Sequence, residues 1–256
     1  MTAPLWLTQA NAIQANEMLL ERYLDVLNPE ELAVIGETET EGNLSGLFLP
    51  KVAEAYLRSP FRVMVIGQEP RGWNGHLREL RTSISAGHTM RDYVQKSMET
   101  HLKHSQTLPR LSKFMQFYEE LRKYLGDHVS PQRNAVFWGN VLCVSLDKRS
   151  AAKAIHIDRL QEISQELLTI QFEVLRPHVV VFASGWRYDQ YIRPAIEPYE
   201  THLEKFIPKK FWPFTKQGQF QFEAFRVPHP RAHTAEIRSM VLQAVKLRLN
   251  YLTDVC

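Results

Sequence analysis

Apolar residues recur along the chain at two periods, and the alternation between them lays out the elements. Residues 8–27 repeat at helical spacing, with Ile13, Leu19, Leu20, Tyr23, Leu24 and Leu27 on one side; Pro29 ends that helix or opens the next. Residues 30–60 mix helical and loop signals, with turn glycines at Gly36, Gly42 and Gly46. Short apolar runs then read as buried strands: 61–66 ending at Gly67, 135–138 ending at Gly139, 178–183 ending at Ser184-Gly185, and 220–227 ending at Pro228. Helical patterns separate them at 110–125, 157–175 and 187–196, and a last helix is expected over 234–253.

Strands that alternate with helices imply right-handed βαβ units and a mostly parallel sheet covered on both faces. The expected fold class is therefore α/β, a three-layer α/β/α sandwich around a central, mostly parallel four-stranded sheet. No shift in composition, repeat or low-complexity tract divides the chain, so one domain is expected over 1–256, with a helical part at 1–60 and an α/β core at 61–256. Ligands of such sheets sit beyond the carboxyl ends of the strands. That rule directs attention to the loops just after residues 66, 138, 183 and 227.

Composition narrows the class. With 44% hydrophobic and 23% charged residues among 256, the chain has an ordinary globular balance. No apolar run is long enough to span a bilayer, and the opening MTAPLWLTQ has neither a basic region nor a long apolar stretch, so no membrane and no leader are expected. Cys143 and Cys256 are too few for a disulfide framework, a four-cysteine zinc site or an iron–sulfur cluster, and a reducing, cytoplasmic setting is expected.

The net charge of +3 is unevenly spread. Residues 1–61 carry three basic and nine acidic residues, residues 71–113 eight basic and three acidic with four histidines, and residues 201–231 six basic and two acidic. Two basic stretches on an acidic body suggest a face for a polyanion; chance clustering of surface charge is the alternative.

The strand ends carry the candidate chemistry. After the first strand comes Gly67-Gln68-Glu69-Pro70-Arg71-Gly72-Trp73-Asn74-Gly75, whose carboxylate either positions a water and steadies a cationic transition state or caps a helix. After the second comes Gly139-Asn140-Val141, where Asn140 reads a ligand or closes a turn. After the fourth comes Val227-Pro228-His229-Pro230-Arg231-Ala232-His233-Thr234. A histidine between two prolines sits on a stiff backbone, suited to presenting one ring nitrogen, or the segment is simply a rigid lead into the last helix with Thr234 as its cap.

In this order, GQEP after one strand, Asn within VFWGNVLCVSLD after another, and His-Pro before a terminal helix, the motifs resemble the uracil-DNA glycosylase superfamily over residues 61 to the last helix. The resemblance implies a uracil-DNA glycosylase-like fold and a monofunctional DNA glycosylase that flips a base out of the stack and cuts its N-glycosidic bond. It implies that Glu69 answers the oxocarbenium-like sugar and orients water, that His229 donates to the departing base anion, and that Asn140 and Gln68 contact the base. Trp73, Phe137 or Trp138 would stack on the base, with Trp73 favoured; Arg71 and Arg231 would contact DNA. DNA is the implied partner, the chain is expected to act as a monomer, and no cofactor or metal is implied.

The sequence departs from the family in three places. Glu69 stands where the best-known members carry Asp, so either the pocket has adapted to another base or activity is reduced. Arg71-Gly72-Trp73 replaces the aromatic-His pair of uracil-specific members, which points to a modified or bulkier pyrimidine as readily as to uracil. Arg231-Ala232-His233 replaces Ser-Pro and an apolar wedge. Residues 71–109 read as a long loop, in which His101 and His104 have metal-ligand spacing without an obvious third ligand and are expected to be solvated surface histidines. Residues 198–218 interleave Lys205, Lys209 and Lys210 with Phe206, Phe211, Trp212 and Phe214, so the segment either grips DNA or is an amphipathic hairpin on the core. Repair and defence against modified phage DNA are both compatible roles. A DNA-binding protein that keeps the fold without catalysis, and an enzyme acting on nucleosides, are the competing readings.

Overall fold

The computed structural model describes residues 11–107, 112–147 and 149–255. The opening stretch, the first two residues of the helix expected over 110–125 and Cys256 lie outside them. Helix α1 (Ala12–Val26) starts where the Asn11 side chain accepts the Gln14 N–H, and α2 (Pro29–Thr38) where Asn28 accepts from Glu31. Pro29 thus opens α2, in the first turn, where its missing N–H forfeits no helical bond. Two short helices follow, α3 (Glu54–Leu57) and α4 (Leu80–Ser85), and then five longer ones: α5 (Met90–Thr107), α6 (Lys113–Leu125), α7 (Ile157–Leu175), α8 (Asp189–Ile196) and α9 (Ala235–Val255).

The strands are β1 (Val63–Gly67), β2 (Phe137–Asn140), β3 (Val179–Phe182), β4 (Tyr199–Thr201), β5 (Trp212–Lys216) and β6 (Phe222–Arg226), in the sheet order β2-β1-β3-β6-β5-β4. The four strands expected from the apolar runs are β2, β1, β3 and β6, adjacent and mutually parallel. The expectation of a four-stranded sheet is corrected: the sheet has six strands and is mixed, because β5 pairs antiparallel with β6 and β4 antiparallel with β5. Both additions hide from a hydrophobic pattern. β4 is three residues, Glu200 exposed between half-exposed Tyr199 and Thr201, and β5 carries Pro213, which normally argues against a central strand.

Successive strand residues face opposite layers. Met64 and Ile66 join one core with α1, α5, α7 and α8, whereas Val63 and Val65 join a second core with α6 and α9. The helices therefore cover both sheet faces and leave the strand ends open. The long loop expected at 71–109 is instead largely α4 and α5. The inward stripe of α5 is Val94, Ser97, Met98, His101 and Ser105, helical in spacing but mostly polar, so hydrophobicity does not reveal it. Among the described residues, no helix is long and apolar enough to cross a membrane. Cys143 is buried, and burial pushes its thiol up to about 11.

Candidate active site

A cavity of about 490 Å³ opens at the carboxyl ends of β1, β2 and β6, in the size range of small-molecule sites. It brings together Gln68, Glu69, Arg71, Trp73, Asn140, His229 and Arg231, drawn from three separate stretches of chain. The ladder runs past the strands here: the Val141 N–H donates to Gly67 O and the Leu142 N–H to Gln68 O. The two loops therefore leave the sheet in fixed register.

Glu69 is the half-buried carboxylate of this cavity. Its Oε2 accepts from the Ala151 N–H at 2.8 Å and the Ser150 hydroxyl at 3.2 Å, and Ser150 meets the Tyr188 hydroxyl at 3.0 Å. Burial raises the Glu69 carboxyl above its usual range, against the Ala151 N–H, the two hydroxyls and the Arg71 charge, which all favour the anion. The same surroundings raise the Tyr188 phenol, chiefly by burial and then by the neighbouring Glu69 charge. Ser150, Ala151 and Tyr188 follow no motif, and nothing in the sequence marks them as partners of Glu69.

His229 presents a defined tautomer. Its Nδ1 accepts from the Arg231 N–H at 3.2 Å, so the ring proton resides on Nε2. Burial, then the charges of Arg231, His233 and Arg71, pull its pKa down to about 4, and the ring is a neutral donor at neutral pH. His233 supports this loop: its Nε2–H donates to the Pro228 carbonyl at 2.7 Å, and Phe117 meets its ring edge-on at 4.9 Å.

Asn140 is 8% exposed, and its Nδ2 has no hydrogen-bond partner among the described residues. A buried amide donor left unpaired costs free energy unless a ligand takes it. Its side chain folds over Gly67, where a Cβ would lie 2.6 Å from Asn140 Oδ1 and 3.0 Å from a Phe114 ring carbon. The glycine is what lets the amide and the ring meet there.

The structure places the remaining candidates as follows, and corrects one expectation, that of a solvated His101. Trp73 reaches the cavity wall but is built into the core: its Nε1–H donates to Ser97, and it packs against Phe48 and Trp138. Phe114 of α6, absent from the motif reading, is the aromatic that lies against Gly67 and Asn140. Gln68 spends its amide nitrogen on the Ser184 carbonyl at 2.7 Å, tying the β1 loop to the end of β3. Lys209 and Lys210 do not line the cavity; they sit on the exposed turn between β4 and β5, while Phe211, Trp212 and Phe214 are buried, so residues 198–218 form a hairpin packed on the core. His101 is a buried core histidine and not a solvated surface one, because Nδ1 accepts from the Lys51 N–H and Nε2–H donates to Trp138 O as α5 turns its polar stripe inward.

The cavity mouth is basic. Arg71, Arg231 and Lys113 line it, and the first turn of α6, capped by Ser112, faces it with its positive dipole end. A half-buried carboxylate, a neutral imidazole N–H, an unpaired amide and a cationic rim can hold a polar ring, stabilise negative charge on one side of a breaking bond and answer positive charge on the other. Comparison with protein-family models, curated proteins and solved structures finds no match to this chain.

Proposed function

We propose that this chain is a DNA glycosylase, a divergent member of the uracil-DNA glycosylase superfamily. It hydrolyses the N-glycosidic bond of a modified or damaged pyrimidine, uracil or a bulkier modified cytosine, and leaves an abasic site, in repair or in defence against modified phage DNA. The observation that carries this reading is the convergence of Glu69, Asn140 and His229 on one cavity at the strand ends.

The chemistry follows from the placement of charge. As the bond breaks, positive charge grows on the sugar and negative charge on the base. The Glu69 carboxylate answers the first and orients water for attack on the sugar carbon. The His229 Nε2–H donates to the base oxygen as it becomes anionic, and a neutral donor does so without having to part with its proton. The unpaired Asn140 Nδ2 reads an acceptor on the base edge, and Phe114 covers its face. Arg71 and Arg231 meet the flanking phosphates.

A binding-only protein that retains the fold is the second reading. It is favoured by one observation, that Glu69 Oε2 is already engaged by Ala151 and Ser150. Alkali cleavage of labelled oligonucleotides carrying uracil, damaged pyrimidines or hydroxymethylated and glucosylated cytosine separates the two. Strand breaks that vanish in Glu69→Gln and His229→Ala, with DNA binding retained, support the glycosylase. Intact substrates that still bind support the second reading.

A further inference from the structure

Outside the cavity, Trp186 is one of the large aromatics that stand clear of the core, with Tyr124, Phe206 and Tyr251, and of these it is the one on a loop at the parallel strand ends. Trp186 follows β3 directly after Ser184-Gly185 and is 45% exposed. Two cations lie against its ring: Lys209 Nζ is 5.1 Å and the Arg187 guanidinium carbon 5.6 Å from the centroid. Among the described residues neither cation forms an ion pair within 4 Å, so the cluster is a solvent-facing indole with two cations beside it.

The turn that carries Lys209 is tied to the core. Lys209 has φ 62°, the left-handed region that favours glycine, so the turn keeps a lysine at a conformational cost. Ile207 and Phe211 close that turn with reciprocal backbone bonds of 2.8 Å, and Phe211 stacks on Phe225 of β6 at 5.7 Å. A strained turn clamped to the core and carrying its cation to an exposed ring is the kind of outlier that points to function.

Its position ties it to the cavity. The Gly185 N–H donates to Val227 O at 2.9 Å, and a Cβ on Gly185 would lie 3.5 Å from the His229 backbone nitrogen. Trp186 therefore begins one residue from the backbone that carries His229. The pairing of Trp212 with Arg226 brings the β4–β5 turn to the same end of the sheet.

We propose that Trp186, flanked by Lys209 and Arg187, is a stacking site for an unpaired base of single-stranded DNA, with the two cations against the neighbouring phosphates. An exposed indole face offers a base a partner whatever its identity, and cations beside it track the backbone. In a duplex each base face is already covered by its neighbour, so the site selects unpaired strands. The ligand class rests on the nucleic-acid reading of the cavity, but the site can be tested without turnover.

The test is fluorescence anisotropy with an undamaged 15-nucleotide single strand and the corresponding blunt duplex, on the full chain. Trp186→Ala is expected to weaken single-strand binding by about tenfold, the lower part of the range for one base–aromatic stack. Trp186→Phe is expected to recover most of that loss, with duplex binding unchanged by either. Lys209→Ala is expected to lower the slope of log affinity against log salt by about one. Thermal melts of the three variants, altered only at exposed positions, check that the fold is intact. Unchanged single-strand affinity in Trp186→Ala, equal losses on single strand and duplex, or no single-strand binding by the unaltered chain (the outcome expected of a protein-docking patch) each overturn the proposal. Base release with no dependence of binding on Trp186 removes this site and leaves the glycosylase reading intact. Trp186-dependent binding without base release does the reverse.

Discussion

Gly67 and Asn140 are register partners at the ends of two parallel strands, and the Asn140 amide lies in the space that a side chain on Gly67 would occupy. Gly67→Ala is therefore expected to displace both the amide and the Phe114 ring. Overpacking of this kind costs about 1–3 kcal/mol, read as a lower Tm, and kcat/KM should fall further than Tm alone explains. A variant with unchanged KM and kcat would show that the amide does not read the substrate.

Glu69 acts as an anion in the proposed reaction, and burial raises its pKa. Activity is then present above that raised value and is lost as pH falls through it, so the acid limb should lie above the usual carboxylate range. Glu69→Gln should remove the limb together with most of the rate. A pH–rate profile that is flat down to ordinary carboxylate pKa values would contradict the assignment.

His229 should contribute through its neutral N–H. Removing one donor to a developing anion costs about 10²–10³ in rate, which is the loss expected for His229→Ala. Since its pKa is held down to about 4, the ring should show no titration between pH 5 and 8 by NMR of the unaltered protein. A histidine signal of this residue titrating near its ordinary value would remove the neutral-donor role.

Tyr188 is a positioning residue that acts through Glu69 and Ser150. Its hydroxyl favours the Glu69 anion, so Tyr188→Phe should move the acid limb to higher pH while leaving the plateau rate within a small factor. The lost hydrogen bond should lower stability by about 1 kcal/mol. A fall in plateau rate with an unmoved limb would point to a purely structural role.

Stability itself should depend on His101. Its pKa is lowered from 6.5 to about 4, first by burial. The unfolded chain therefore binds this proton at a pH where the folded chain does not, and stability is lost as pH falls from about 6.5 toward 4. His178 is shifted to about 4 as well, chiefly by burial. His101→Gln should thus make the decline of Tm over that window shallower without abolishing it, even though the variant is less stable at pH 7.

Much of this was legible in the chain. The four apolar runs became β1, β2, β3 and β6, and searching beyond their carboxyl ends led to Glu69, Asn140 and His229, which share one cavity. Local pattern sufficed there because buried parallel strands read as unbroken apolar segments. It failed where position depends on tertiary contact. The inward stripe of α5 is polar, β5 contains a proline, and Phe114 reaches Gly67 only because α6 packs across the strand ends. The anchoring of Trp73 is hidden for the same reason: its N–H donates to Ser97, which lies on α5 and is remote in sequence.

The sheet order has a last consequence for what this architecture can change and what it must keep. Glu69 follows β1 and His229 follows β6, and β3 runs between these two strands. Adjacent strands lie about 4.8 Å apart, so the two groups hang from scaffolding two lattice steps wide. That gap is a property of the hydrogen-bonded ladder, which no loop substitution alters. In the proposed reaction, loops can be lengthened, recharged or given a bulkier residue to admit a different ring, while the strand spacing from which the loops of Glu69 and His229 depart stays constant. Variation of the loops and constancy of the spacing beneath them thus fall to different parts of the same chain.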